Sequence, residues 1–215
     1  MALPLRTVAV PLAVLVTVKA IGWRWMAHWG ATTDEIAAEL PGDELVEASD
    51  LTTTRAVTVY ARAAEVWPWI AQLGQGRGGF YSYDALENLV GCDIHSAQEI
   101  VPAWQDVVVG GEVKLAPEVA MTVVSVEPGR SLVLRGGIPL GRSAPFDMTW
   151  AFVLREEPDG TTRLITRERY EHLRWWAPLV VVPTSAVSFV MSRRMLHGIA
   201  ERAEIAARAV VSAAV

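Results

Sequence analysis

The sequence predicts an α+β domain: an antiparallel sheet, two short helices after its first strand, and one long helix at its C-terminal end. Three observations carry this. Between Val113 and His172, β-branched and aromatic runs alternate with turns at Pro128-Gly129 and Pro158-Asp159-Gly160. These turns are too short for crossovers, so successive strands must run antiparallel. From Ser185 to Val210, Val187, Met191, Met195, Ile199, Ala203, Ala206 and Val210 recur at three- and four-residue steps, the period of one helix face. Before the sheet, Ala63–Leu73 and Tyr83–Val90 read as short helices parted by the glycine cluster Gly74–Gly79.

In chain order, Thr7–Val18 is uncharged and mostly aliphatic between Arg6 and Lys19. It is shorter than the roughly 20 residues of a spanning helix. Three readings stay open. A signal peptide has such a basic start, but no clean small-x-small cleavage site follows. A membrane anchor fits if Lys19 and Arg24 snorkel and Trp23, Trp25 and Trp29 sit among headgroups. A plainly buried helix is the third. The anchor reading puts residues 3–29 in contact with a membrane and the domain on its cytoplasmic side; without it the protein is expected in the cytoplasm. Residues 1–30 thus form a hydrophobic segment. Thr32 and Glu35 stand at capping-box spacing and open a short helix that Pro41-Gly42 ends. With the acidic stretch Asp43–Asp50, residues 31–50 read as a helix and linker onto a main domain over 51–215.

Within that domain Thr54–Ala61 reads as the first strand, and Pro68 bends or delimits the first turn of the next helix. Ser82 is the expected N-cap of the second helix and Gly91 its stop. Val107–Val109 and Val113–Ala116 flank a turn at Gly110-Gly111, and Met121–Glu127, Ser131–Arg135, Asp147–Glu156 and Thr161–His172 follow as strands. Met148, Trp150, Phe152 and Leu154 share one face, as do Leu132 and Leu134, so those faces are buried. Trp175–Met191 carries no charge but holds Pro178 and Pro183, and reads as an apolar lid or membrane-touching loop. Gly198 should let the last helix approach the sheet closely.

Composition excludes several function classes. The formal net charge of −5 comes without long charge runs, so nucleic acid is not an expected partner. Cys92 is the single cysteine, which rules out an intrachain disulfide and a thiolate metal cluster. The four histidines show neither H-x-x-x-H nor H-E-x-x-H spacing, so no metal site is expected. Gly74, Gly76 and Gly79 satisfy G-x-G-x-x-G, but a helix precedes them and a meander follows, the wrong context for a dinucleotide.

The stretch GQGRGGFYSYDALENLVG (Gly74–Gly91) is the most informative in the chain. An aqueous loop has little use for Phe80, Tyr81 and Tyr83 together, whereas the lip of an apolar cavity does. With Val66-Trp67-Pro68-Trp69-Ile70, Asp93–Ala97 (DIHSA), Ile100–Asp106 (IVPAWQD), Leu132–Gly137 (LVLRGG) and Met148–Leu154 (MTWAFVL), it resembles a bacterial branch of the SRPBCC superfamily. That superfamily groups START-type lipid-binding domains with polyketide cyclases/dehydrases. The resemblance implies a helix-grip fold, in which a curved sheet wraps the terminal helix. It also implies a cavity for a hydrophobic or lipid-like small molecule, and no obligatory cofactor.

On this reading Trp67, Tyr81, Tyr83, Trp104, Trp150 and Phe152 are the candidate walls, and His95 and Arg135 the candidate anchors for polar ends. An arginine facing the cavity would hold a carboxylate or phosphate head group. Were the domain a cyclase or dehydratase, its acid or base would come from His95, Asp84, Glu87 or Tyr83. A third possibility is a regulatory domain whose interior is filled.

Overall fold

The computed structural model describes residues 22–136 and 144–213. Six strands form one antiparallel sheet: β1 (Leu51–Val59), β2 (Glu112–Ala116), β3 (Val119–Glu127), β4 (Ser131–Gly136), β5 (Phe146–Glu156) and β6 (Thr162–His172). Their spatial order is β1-β6-β5-β4-β3-β2, a meander whose first strand has been carried round to the far edge. Helices α1 (Thr33–Ala37), α2 (Ala63–Ala71), α3 (Asp84–Leu89) and α4 (Pro178–Ala213) accompany it. The architecture is the predicted α+β one, with α4 laid across the inner face of an open sheet.

Strand alternation divides the molecule. On β5 and β6, Phe146, Met148, Phe152, Leu154, Leu164 and Tyr170 point inward and form the main core with Met195, Leu196, Ile199 and Ala203 of α4. Ala56, Val153 and Ile165 point outward and are covered by Leu40. The cover comes from α1 and a 3₁₀ turn at Asp43–Val46, within the stretch read from sequence as helix and linker. The predicted capping box is formed: Glu35 N donates to Thr32 Oγ1 (3.2 Å) and Thr32 N to Glu35 Oε2 (2.8 Å). The free edge of β1 is partly closed where Ala56 N donates to the Trp29 carbonyl (3.1 Å).

Three local expectations need correction. No strand forms at Val107–Val109; Gly110-Gly111 instead lies alongside β3, exchanging backbone hydrogen bonds with Val123 (both 2.8 Å). The hairpin turn falls at Pro117-Glu118. Second, Trp175–Met191 is not a loop throughout, because α4 begins at Pro178. Proline is harmless at a first helical position, where its missing N–H would find no partner, whereas Pro183 lies inside the helix, which continues past it. Third, the predicted stripe of α4 is buried at Met195, Ile199 and Ala203, but Val187 is exposed, and in the first half of the helix the buried side runs through Val181, Ser185, Phe189 and Ser192. Polar residues on the buried side hid this stripe from a hydrophobic pattern.

Most of residues 3–29, the predicted membrane contact, lie outside the described residues. Of the tryptophans there, Trp25 meets Phe189 edge-on (5.2 Å between centroids) and Trp29 meets His197 (5.3 Å). Helix α4 is long and apolar enough over Pro178–Ala209 to cross a membrane by length and composition, with a third of its most apolar stretch buried in the domain.

Candidate functional site

The glycine cluster leads into Phe80, which lines a cavity. Gly74 and Gly79 exchange two backbone hydrogen bonds (both 3.0 Å), closing the loop on itself rather than leaving a gate. Gly79 has a φ of 69°, and a side chain there would press on the backbone of His95 and Ser96. Leaving this loop, Phe80 turns inward to stack on Trp150 (6.0 Å, 28° between planes). Tyr81 has a φ of 56° and is held there because its N–H donates to Ser96 Oγ (3.0 Å) and its hydroxyl to the Trp69 carbonyl (3.1 Å). Burial pushes the Tyr81 phenol up to about 12, so it stays neutral. Gly198 meets Tyr81: a Cβ there would strike the Tyr81 carbonyl, so this glycine admits the loop and not, as predicted, the sheet.

The polar residues of the motif mostly stitch one loop to another. Asp84 accepts from Ser96 N (2.7 Å) and Ser96 Oγ (2.6 Å). Asn88 donates to the Ile94 carbonyl (2.8 Å) and accepts from Ile94 N (2.6 Å). Buried Gln72 holds the 99–105 stretch, donating to the Glu99 carbonyl (3.0 Å) and accepting from Val101 N (3.0 Å). Arg77 donates to the carbonyls of Ala71 and Trp104. The motif is therefore a brace that ties α3 to the Ile94–Ser96 stretch.

Between that brace, β5, β6 and α4 lies a cavity of about 200 Å³. Its walls are Phe80, Met121, Phe146, Met148, Trp150 and Met195, with Leu115 and Met191 among the half-buried lining residues. Trp150 is fixed by Nε1 donating to Thr166 Oγ1 (2.8 Å) and by Phe152 behind it (4.8 Å between centroids).

Two carboxylates interrupt the apolar lining. Glu168 is almost completely buried and fully engaged: Oε1 accepts from Arg55 Nη1 (2.9 Å), Ser188 Oγ (2.6 Å) and Ser192 Oγ (3.3 Å), and Oε2 from the Tyr170 hydroxyl (3.0 Å). Burial and the neighbouring Glu168 charge push the Tyr170 phenol well above its usual value, leaving it a neutral donor. Glu87 is different. Its Oε1 accepts from Ser82 Oγ (2.6 Å), but its Oε2 is buried and meets no donor among the described residues. Burial pushes its carboxyl above the ordinary value of 4.5, against the bond from Ser82 and with help from the charge on Asp84. Burial and then Glu87 also raise the thiol of Cys92, a cavity residue, which leaves it protonated and a poor nucleophile.

Of the residues singled out from sequence, Trp150 and Glu87 line the cavity, and Phe152 and Tyr81 support it from the core. Trp67 packs on the edge of that core. Trp104 lies on the 3₁₀ turn Pro102–Trp104, away from the cavity. Tyr83 faces a separate surface cleft with Phe189 and Arg193. Asp84 is consumed by Ser96, and His95 is 80% exposed beside Asp93 (3.3 Å). Arg135 is paired with Asp147 (3.0 and 2.7 Å) outside the cavity, so it does not serve as a cavity anchor. Arg55, Glu168, Ser188 and Ser192 were not expected there. Their one sequence signal is a glutamate on a strand otherwise flanked by arginines. Among the described residues, no group of three or more His, Cys, Asp or Glu side chains is placed to hold a metal ion.

No protein-family model and no curated protein matches this sequence. Solved structures with a similar course of chain include a hypothetical protein of Helicobacter pylori (14% identity, 80% of this chain and 99% of that one, TM-score 0.47). Another is a Mesorhizobium loti protein (13% identity, 71% and 96%, TM-score 0.43). A third is a protein of the dynemicin biosynthetic locus (16% identity, 69% of this chain and 46% of that one, TM-score 0.39). Likenesses this distant carry no argument about what the chain does.

Proposed function

We propose that this domain binds a small, largely apolar molecule in the cavity between its sheet and α4, as the SRPBCC resemblance implies. The observation that carries the reading is an aromatic- and methionine-lined cavity containing a few fixed polar groups, the make-up of a small-molecule site. Its volume bounds the ligand. An apolar cavity of about 150 Å³ accommodates benzene, so about 200 Å³ suits one substituted ring or a short chain, not a whole lipid enclosed. Native mass spectrometry of the protein from its own host tests this: a retained compound of that size is the expected result. Failure to retain one, or to bind small aromatic probes, would defeat it.

A second reading has one observation in its favour. Glu87 is the single member of the four acid/base candidates that lines the cavity, and burial raises its carboxyl, so it holds a proton more readily than an exposed glutamate does. A cyclase- or dehydratase-like reaction would then convert the bound compound, whereas recovery of that compound unchanged after incubation would favour a carrier.

Membrane contact belongs to the same proposal. Leu86, Leu89 and Val90 around α3, and Trp175, Leu179, Val182, Val187 and Val190 around the start of α4, are exposed on the two helices that flank the cavity. Such a surface suits an interface where apolar ligands reside. Flotation of the full chain with phospholipid vesicles should show co-migration that Trp175→Ser with Leu179→Ser reduces.

A further inference from the structure

The choice of ligand follows from counting the hydrogen-bonding capacity of the two cavity carboxylates, and it rests on the binding reading above. Glu168 has its donors supplied by Arg55, Tyr170 and two serines, with the Arg55 charge balancing its own. It has nothing left to ask of a ligand. Glu87 accepts from Ser82 alone, and its second oxygen is buried without a donor. A buried acceptor in that state destabilises the fold until something donates to it.

The surroundings say what kind of donor fits. Among the described residues, no Arg, Lys or His side chain lines the cavity. An incoming carboxylate or phosphate would meet Glu87 with no cation to offset the repulsion. The walls supply the rings of Phe80, Trp150, Phe146 and Tyr170, whose faces attract cations. We infer that the cavity selects small aromatic or aliphatic amines: the Glu87 carboxylate, whose Oε2 has no accessible surface in this conformation, turns to meet the ligand ammonium while the apolar body lies against Phe80 and Trp150. This reverses the sequence expectation of an arginine gripping an anionic head group. The anion-seeking residue, Arg135, is committed to Asp147 elsewhere.

Three probes with a shared phenylethyl body test it on the full-length protein: 2-phenylethylamine, 3-phenylpropionate and ethylbenzene, followed by calorimetry and thermal shift at about pH 7.5. The amine should bind at least tenfold tighter than the carboxylate. Glu87→Gln should erase most of that preference while ethylbenzene still binds, and Glu157→Gln, on an exposed turn, should leave it intact. If ethylbenzene binds but the amine does no better than the carboxylate, the amine inference is overturned and the cavity reading stands. If none of the three binds, both fall. An amine preference that survives Glu87→Gln overturns the assignment to Glu87. The comparison among probes on the wild-type protein needs no variant, so the inference stays testable even if the substitution perturbs folding.

Discussion

Both faces of the sheet bury arginines beside carboxylates, and only the inner one adjoins an apolar cavity. On the outer face, Arg167 spends its Nε on Thr54 Oγ1 (3.0 Å), Nη1 on the Ala38 carbonyl and Asp43 Oδ2 (2.8 and 2.5 Å), and Nη2 on the carbonyls of Glu35 and Ile36 (2.8 and 3.0 Å). A guanidinium has five N–H donors, and every one is used. Arg163 holds Glu35 through two 2.8 Å bonds. The cleft on that side is the roomier, at about 670 Å³, and it is polar, with the exposed carboxylates of Glu39 and Glu47 among its lining. The inner cavity is smaller, but it is apolar and Glu87 Oε2 is unpaid there. Neither size nor buried charge marks a binding site. An under-satisfied group inside an apolar enclosure does.

The largest effect expected on this contrast comes from Arg55. Arg55→Met leaves Glu168 buried without its counter-charge and should cost about 3–5 kcal/mol in urea unfolding. Adding Glu168→Gln should recover part of the loss. If the single variant is as stable as wild type, the Glu168 cluster does not hold the inner face together as described.

Filling the cavity comes next. Met191→Trp, from the half-buried lining on α4, should lower the affinity for apolar probes at least tenfold, about 1.4 kcal/mol, with little change in melting temperature. Unchanged affinity would move the ligand elsewhere.

Arg135→Met tests the anchor expected from sequence. Its pair with Asp147 is partly exposed, so the loss should stay below about 1 kcal/mol, and probe affinity should not move. A fall in affinity would return Arg135 to the site.

The smallest effect is one of pH, and its sign differs between the faces. Glu87 has a raised folded-state value, so its contribution to stability is complete below 4.5 and is lost as pH rises through that folded value. For Glu35, burial pushes upward but is outweighed by the bonds from Arg163 and Thr32, so the value is lowered. Its contribution is present above 4.5 and is lost as pH falls through the folded value. Denaturation across about pH 3 to 8 should show Glu87→Gln flattening the alkaline arm and Glu35→Gln the acid arm. Parallel slopes in the two variants would erase the distinction between the faces.

How much of this was legible in advance depended on distance along the chain. The strands β3 to β6 and the buried faces of Met148–Leu154 and Leu132–Leu134 follow from alternation and tight turns, which neighbouring residues decide among themselves. The start of α4 was obscured because its prolines imitate a break, and its buried stripe because Ser185 and Ser192 imitate a solvent face. Glu87 was one of four acid/base candidates that the sequence could not rank.

Local patterning by itself determined the α+β class, the order of elements and the apolar character of the inner face, because those properties need only the period of each segment. Tertiary structure decided which charges are spent. Ser96 reaches Asp84 across 12 residues, Asp147 reaches Arg135 across 12, and Arg55 reaches Glu168 across 113. Whether a polar group keeps an unused lone pair depends on partners that only folding brings near, so the one left facing the cavity could be identified only in three dimensions.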